Sequence, residues 1–182
     1  MQQQTYPRPL TVRRERLVMF HPDFKELLFA FDAHKVRYLV VGGYAVSFHA
    51  QPRATKDLDL FVKPDPANAK AVYDALSQFG APMDGFRVED FMKPDLFFRI
   101  GTPPLMVDIL PAIQGIDFDK AWENRIPVPL GTEVEPKAYF IGREDLIQAK
   151  LAVGRPQDIA DAHALEAAAA STDTKRPLQK PI

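Results

Sequence analysis

The sequence of 182 residues contains no cysteine. Disulfide frameworks, thiolate zinc sites, iron–sulfur clusters and cysteine nucleophiles are therefore excluded. The four histidines lie far apart, and none has the HExxH spacing of a zinc site. No apolar run approaches the ~20 residues of a membrane helix, and the first residues lack the apolar core of a secretory signal. These absences predict a cytoplasmic protein with no membrane partner.

The composition is that of an ordinary globular protein, with 46% hydrophobic and 26% charged residues. The net charge of −1 hides two basic ends and an acidic middle. Basic arms suit contact with nucleic acid, although chain termini are often simply solvated. We predict one domain over residues 16–170, with a C-terminal helical part at about 143–170 and flexible arms at 1–15 and 171–182.

Hydrophobic periodicity predicts helices alternating with strands. Helical spacing occurs at 21–36, 44–49, 66–79, 118–124, 143–153 and 157–170. Runs of β-branched and aromatic residues predict strands at 37–41, 57–62, 96–100, 105–110, 126–130 and 138–141. Two prolines weaken the strand at 126–130. The order predicts an α/β (α+β) domain with a mixed β-sheet flanked by helices.

Two aspartates share one face of the strand at 57–62. Asp57 and Asp59 alternate with Leu58 and Leu60, so the two carboxylates point one way and the leucines point into a core. Their Cα atoms would lie ~6.7 Å apart, which allows the carboxylates to hold divalent cations between them. The alternative is a solvated strand edge carrying two acids.

A third aspartate, Asp108, interrupts the otherwise apolar strand Leu105–Leu110. An acid in such a run is expected to be paired or to ligate a metal, unless the strand lies at a wet edge. Three carboxylates on strands are what a two-metal phosphoryl-transfer site needs, with the two ions ~3.5–4 Å apart. Oxygen ligands favour Mg²⁺ or Mn²⁺.

A glycine pair, Gly42-Gly43, stands between a strand and a short helix. Glycine allows close approach of the backbone to a phosphate, and the N-terminus of the following helix favours an anion. A tight turn that needs positive φ is the alternative explanation. Neither a Walker loop nor a Rossmann GxGxxG motif is present.

The combined pattern resembles the nucleotidyltransferase superfamily with the DNA-polymerase-β-like fold. The residues that carry the resemblance are Val41-Gly42-Gly43, Asp57-Leu58-Asp59 and Asp108. A form GGxAxxxH…RxTxDxD over residues 42–59 is similar to small prokaryotic members, the AbiEii-toxin-like and minimal nucleotidyltransferases. The resemblance covers about residues 36–165.

The resemblance implies a metal-dependent enzyme that moves an NMP from an NTP to a hydroxyl acceptor, which is an RNA end, a protein or a small molecule. It implies Mg²⁺ or Mn²⁺ as cofactor, with Asp57, Asp59 and Asp108 as catalytic metal ligands. A toxin-like role would add a cognate antitoxin as partner. The alternative is a catalytically inactive nucleotide-binding or toxin–antitoxin interaction module.

Further nucleotide-binding residues follow from the same resemblance. Beside Gly42 and Gly43, the implied set is Arg53, Thr55, Lys150 and Arg155, with Asp158 and Asp161 in support. Lys150 would offer a point charge to the triphosphate and Arg155 a second cation. The alternatives are that Arg53 and Thr55 cap their loop, and that the residues from Lys150 to Asp161 form a solvated charged helix face.

Overall fold

The computed structural model describes residues 20–52, 54–131 and 136–173. Its centre is one six-stranded mixed sheet with the strand order β3-β4-β2-β1-β6-β5. The strands are β1 Tyr38–Val40, β2 Asp57–Val62, β3 Phe98–Thr102, β4 Leu105–Leu110, β5 Ile126–Pro129 and β6 Lys137–Phe140. Strand β2 pairs with β4 in parallel, as β1 does with β6, and the other pairs are antiparallel. The sheet is therefore the mixed sheet that the sequence predicts.

Six helices accompany the sheet in the described ranges. They are α1 Pro22–Ala33, α2 Gly42–His49, α3 Pro66–Phe79, α4 Phe118–Glu123, α5 Arg143–Val153 and α6 Pro156–Asp173, with a 3₁₀ turn at Val88–Met92. Helix α3 shows why the ends fall where they do. The Asp65 side chain accepts a hydrogen bond from the Asn68 amide at its start, and Gly80 ends it in the left-handed conformation.

The core follows the alternation along the strands. Leu58 and Leu60 of β2 are fully buried, as are Leu39 and Val40 of β1. Helix α1 packs on α3, helix α5 packs on α6, and α2 contacts both α5 and α6. The chain turn between β1 and α2 is thereby held beside the two C-terminal helices, which is where the polar residues gather.

Several boundaries differ from the predicted ones. Strand β3 begins two residues later than predicted, because its pairing with β4 runs from Phe98 to Thr102. Helix α2 begins at Gly42 and takes in the glycine pair. Helix α6 runs to Asp173, so the first three residues of the predicted C-terminal arm at 171–182 are helical.

Other predictions concern the remaining segments. The proline-containing strand β5 forms at the sheet edge, where missing amides do not interrupt a ladder. The predicted arm at residues 1–15 lies outside the described residues, as does the end of the chain from residue 174. Within the described ranges, no helix combines the length and the apolar character that crossing a membrane requires.

Candidate active site

Three aspartates gather on two neighbouring strands. In the parallel pairing of β2 with β4, Asp59 stands directly opposite Asp108, and Asp57 lies two residues before Asp59. The alternation of β2 therefore puts Asp57 and Asp59 on one face, since Leu58 and Leu60 are buried on the other. The structure thus brings together the three acids that the sequence singles out.

The turn after β1 lies against the Asp59 carboxylate. The Val41 amide donates to the Asp59 carbonyl at 3.0 Å, and the Gly43 amide donates to the Asp59 side chain. Gly42 has φ +59°, and a Cβ built on it would lie 1.9 Å from Asp59 Oδ2. Only glycine fits there, because any side chain would both strain the backbone and occupy the carboxylate's place.

The charge at Asp59 is poorly compensated. Burial, followed by the negative charges of Asp108 and Asp57, raises the pKa of Asp59 to about 6. The Lys150 ammonium and the Gly43 amide act in the opposite direction and offset only part of this increase. A site with this excess of negative charge and only oxygen donors suits a hard divalent cation.

Asp108 has a strong partner that the sequence did not reveal. The Arg99 guanidinium on β3 donates two hydrogen bonds to Asp108, Nε to Oδ1 at 2.7 Å and Nη2 to Oδ2 at 2.6 Å. Arg99 and Asp108 face each other in the antiparallel register of β3 and β4. A correct prediction of the β3–β4 register would have identified Arg99 as the partner of Asp108. The four-residue loop at 101–104 that follows from the predicted strand boundaries would instead have placed residue 97 opposite Asp108.

The side chains as they stand do not form a metal cage. Over residues 20–52, 54–131 and 136–173, no group of three or more histidine, aspartate or glutamate side chains is arranged to hold a metal ion. The two-pronged contact from Arg99 engages both oxygens of Asp108.

A cavity of about 620 Å³ opens beside Asp59, between the glycine turn and helices α5 and α6. Six predicted site residues line it: Gly42, Gly43, Asp59, Lys150, Arg155 and Asp158. Apolar side chains form the rest of its wall, among them Leu110, Ile113, Ile141 and Leu146. This volume is in the range of small-molecule sites. Asp57, Asp108, Thr55 and Asp161 are outside the described lining.

An ionic network joins α5 to α6 at the mouth of this cavity. Lys150 Nζ lies 2.9 Å from Asp158 and 3.0 Å from Asp161, and Arg155 Nε donates to Asp158 at 2.6 Å. Asp158 and Asp161 are almost wholly buried. Hydrogen bonds from Arg155 and then Lys150 lower the pKa of Asp158 to about 2. Asp158 therefore holds both cations in place and Asp161 holds Lys150, while their supporting role at a nucleotide site stays a prediction.

The loop before β2 carries the remaining predicted residues. The Thr55 hydroxyl donates to the Asp57 carbonyl at 3.3 Å, which is a local turn contact. Arg53 lies outside the described residues. His49 at the end of α2 is buried, and its Nε2 lies 2.7 Å from the Ile141 carbonyl, so this ring ties α2 to the residue that follows β6.

A mixed sheet with a glycine turn beside aspartates on two adjacent strands is the arrangement that the sequence resemblance implies for a nucleotidyltransferase. The chain belongs to the family described as "Nucleotidyltransferase of unknown function (DUF6036)", whose model matches residues 15–174. It is an enzyme of this class, as the resemblance in the sequence implies. The AbiEii-toxin-like subgroup stays a prediction.

Solved structures share the fold. The solution structure of the antibiotic-resistance factor ANT(2″)-Ia aligns with a TM-score of 0.52 and 15% identity, covering 82% of each chain. The crystal structure of ANT(2″)-Ia in complex with adenylyl-2″-tobramycin aligns with a TM-score of 0.50 and 15% identity, covering 84% of this chain and 95% of that chain. At this identity the likeness concerns the fold alone. No curated protein matches the chain in sequence.

Proposed function

We propose that the protein transfers an NMP from an NTP to a hydroxyl acceptor in a metal-dependent reaction. The observation that carries this proposal is the register of β2 and β4, which sets Asp59 opposite Asp108 with Asp57 on the same face as Asp59. The glycine turn beside Asp59 supports it, because it opens directly onto the cavity.

Asp57, Asp59 and Asp108 are the proposed ligands for Mg²⁺ or Mn²⁺. The raised pKa of Asp59 supports this assignment, since it results from burial and then from the neighbouring charges of Asp108 and Asp57, without a full counter-charge. When bound, the ions neutralise charge on the phosphates and on the reacting oxygens. The three carboxylates fit this group in donor type and charge, once the Asp108 carboxylate is released from Arg99.

The NTP is proposed to occupy the cavity beside Asp59. Its triphosphate would lie along the glycine turn at Gly42 and Gly43 and extend toward Lys150 and Arg155, which also line the cavity. The apolar wall would cover the base and sugar. Arg53 and Thr55 remain predicted phosphate contacts.

Asp108 is proposed to accept the proton of the acceptor hydroxyl. The freed oxygen attacks the α-phosphorus in line, the bond from that phosphorus to the bridging oxygen breaks, and pyrophosphate leaves. Catalysis of this kind depends mainly on positioning and on stabilising the developing charge. Asp158 and Asp161 would act only through the cations that they hold.

The acceptor is an RNA end, a protein hydroxyl or a small molecule. The crystallised ANT(2″)-Ia complex contains an adenylylated antibiotic, adenylyl-2″-tobramycin. A small hydroxylated acceptor is therefore one class to test here. A toxin-like role with a cognate antitoxin remains a prediction. It would appear as growth arrest on expression of the wild type and normal growth with Asp57→Ala/Asp59→Ala.

The test is transfer of label from each of the four NTPs, radiolabelled at the α-phosphate, in cell extract with Mg²⁺ or Mn²⁺. Wild type and Asp57→Ala/Asp59→Ala are run side by side. Label on a discrete RNA, protein or small molecule that is lost in the variant supports the enzyme and identifies base and acceptor class. Label that persists in the variant contradicts the assigned acids.

An inactive nucleotide-binding module is the second candidate. The two-pronged ion pair between Arg99 and Asp108 favours it, because both oxygens of the third acid are engaged. Calorimetry separates the candidates. Metal-dependent NTP binding without transfer, in extracts where related transferases are active, indicates the module. Binding together with transfer indicates the enzyme.

A further inference from the structure

A row of three charged residues, two acids and one arginine, crosses three adjacent strands. Asp59 of β2, Asp108 of β4 and Arg99 of β3 stand in register across the sheet. The Asp108 side chain is 10% exposed, while the Arg99 side chain is 50% exposed. The acid is therefore fixed inside the row, whereas the guanidinium at its outer end can swing into solvent with little loss of packing.

The contact between the two side chains leaves Asp108 poorly available to another cation. Arg99 donates from Nε and Nη2 to the two carboxylate oxygens at 2.7 and 2.6 Å. A planar guanidinium in this two-pronged geometry is the strongest common partner of a carboxylate. A divalent cation between Asp59 and Asp108 would also be repelled by the fixed positive charge of Arg99.

We propose that Arg99 is a positioning residue that competes with the divalent cation for Asp108, so that the three-acid site assembles only when the Arg99 guanidinium dissociates from the Asp108 carboxylate. This inference rests on the proposed function, because it takes Asp108 as a metal ligand. This competition explains why the described residues include three acids suited to a metal, although their side chains are not arranged around a metal position. The protein without metal is then held in an ordered but incomplete state.

The decisive measurement is Mn²⁺ binding by calorimetry and by electron paramagnetic resonance, in the full chain, alone and with a non-hydrolysable ATP analogue. Arg99→Gln should bind Mn²⁺ about tenfold more tightly than the wild type, because the competing cation is gone. Arg99→Lys should fall between the two, since it keeps the charge but loses the two-pronged contact. Asp108→Asn added to Arg99→Gln should remove the gain.

Lys70→Gln is the matched control, because it also removes one cation from an ion pair, here with Asp74 on α3. Its Mn²⁺ affinity should stay within about twofold of the wild type, since exposed pairs of this kind contribute little. A charge effect spread over the whole molecule would instead move Lys70→Gln and Arg99→Gln alike. The folded state of each variant is checked by thermal unfolding. Arg99→Lys carries the test if Arg99→Gln does not fold.

Two failures can be told apart. Unchanged or weaker Mn²⁺ binding by the Arg99 variants, with binding lost in Asp57→Ala/Asp59→Ala, overturns the competition and leaves the metal site standing. Undiminished binding by Asp57→Ala/Asp59→Ala overturns the metal site itself, and with it the proposed function. A tenfold gain that survives Asp108→Asn also overturns the role of Arg99 at Asp108.

Discussion

Gly42 is the position where a single added methyl group meets the candidate site most directly. A substitution at Gly42 would have two separate effects. The φ of +59° would strain the backbone of any other residue, and an added Cβ, at 1.9 Å from Asp59 Oδ2, would displace that carboxylate. Gly80 has φ +89° and no atom within 4 Å of such a Cβ, so it separates the two effects.

We expect Gly42→Ala to lower the free energy of unfolding by more than Gly80→Ala, which should cost only about 1 kcal/mol. Nucleotide transfer should be lost in Gly42→Ala and retained in Gly80→Ala, because only the first moves Asp59. Urea unfolding and the transfer assay check this. Equal losses in the two variants would mean that the contact with Asp59 has no influence.

Asp59 makes stability depend on pH. Its pKa is about 6 in the folded protein against an ordinary value of 3.8. Below pH 3.8 the Asp59 carboxyl is protonated in both the folded and the unfolded chain, so it does not lower the free energy of unfolding. Between pH 3.8 and 6 the unfolded chain releases the proton while the folded chain keeps it, so stability falls as pH rises. Above pH 6 the full penalty is present.

Asp59→Asn should therefore be more stable than the wild type at pH 8, by about 1–3 kcal/mol. The difference should shrink as pH falls through 6 and vanish near pH 4. Thermal unfolding without metal, from pH 4 to 8, measures it. The exposed Asp84→Asn serves as the control for the removal of one surface carboxylate. A gain for Asp59→Asn that is constant with pH would contradict this account.

At the scale of elements, one buried acid connects the two C-terminal helices. Asp158 at the start of α6 accepts from Lys150 of α5 and from Arg155 of the connecting turn. The depressed pKa of Asp158, about 2, means that this contribution is fully present above pH 4 and is lost as pH falls toward 2. Removing the acid leaves Lys150 largely buried, with Asp161 as its remaining ion-pair partner among the described residues.

Asp158→Asn should lower the free energy of unfolding by about 2–4 kcal/mol, because it breaks a buried charge pair on one side. Arg155→Ala should cost less than about 1 kcal/mol, since its side chain is largely exposed. Urea unfolding at pH 7 compares them. NTP affinity should fall in both variants. If Arg155→Ala lowered the free energy of unfolding by as much as Asp158→Asn, the network would depend on Arg155 and not on the buried acid.

The elements themselves were largely predictable from the sequence, for identifiable reasons. Strand β2 alternates cleanly between aspartate and leucine, and α3 carries a proline start and a glycine end. Asp57 and Asp59 could be found because they alternate with leucines, Asp108 because it interrupts an apolar strand, and Gly42 because a glycine pair follows a strand. Pro127 and Pro129 weaken β5 as a strand in the sequence, and the structure accommodates them at the sheet edge.

The rest depends on register, which local patterns do not determine. Arg99 looks like any charged residue in a strand until the two-residue hairpin loop sets it against Asp108. A shift of two residues keeps the same side chains inside, so hydrophobicity does not distinguish the two pairings. The partners of Lys150, by contrast, entered the predicted set through the family resemblance, although no sequence period encodes their pairing.

For the whole molecule, the site divides its charges between two parts of the fold. The sheet supplies the carboxylates at Asp57, Asp59 and Asp108, while helix α5 supplies the cation of Lys150 and the turn between α5 and α6 supplies that of Arg155. The cavity lies between them. A triphosphate that carries divalent cations complements both parts at once, because its metal ions are attracted to the carboxylates and its phosphates to the cations. The metal or the nucleotide alone complements only one part. Binding of metal and nucleotide should therefore be mutually reinforcing.

We expect an NTP and Mg²⁺ together to raise the melting temperature by more than the sum of their separate effects. At a nucleotide concentration of 100 times Kd the gain is about 2.7 kcal/mol, or roughly 5–10 °C for a chain of this size. Asp57→Ala/Asp59→Ala should abolish the excess while keeping a small shift from nucleotide alone, because Lys150 and Arg155 remain. Differential scanning calorimetry with each NTP measures this. Strictly additive shifts would contradict a metal shared between the aspartates and the triphosphate.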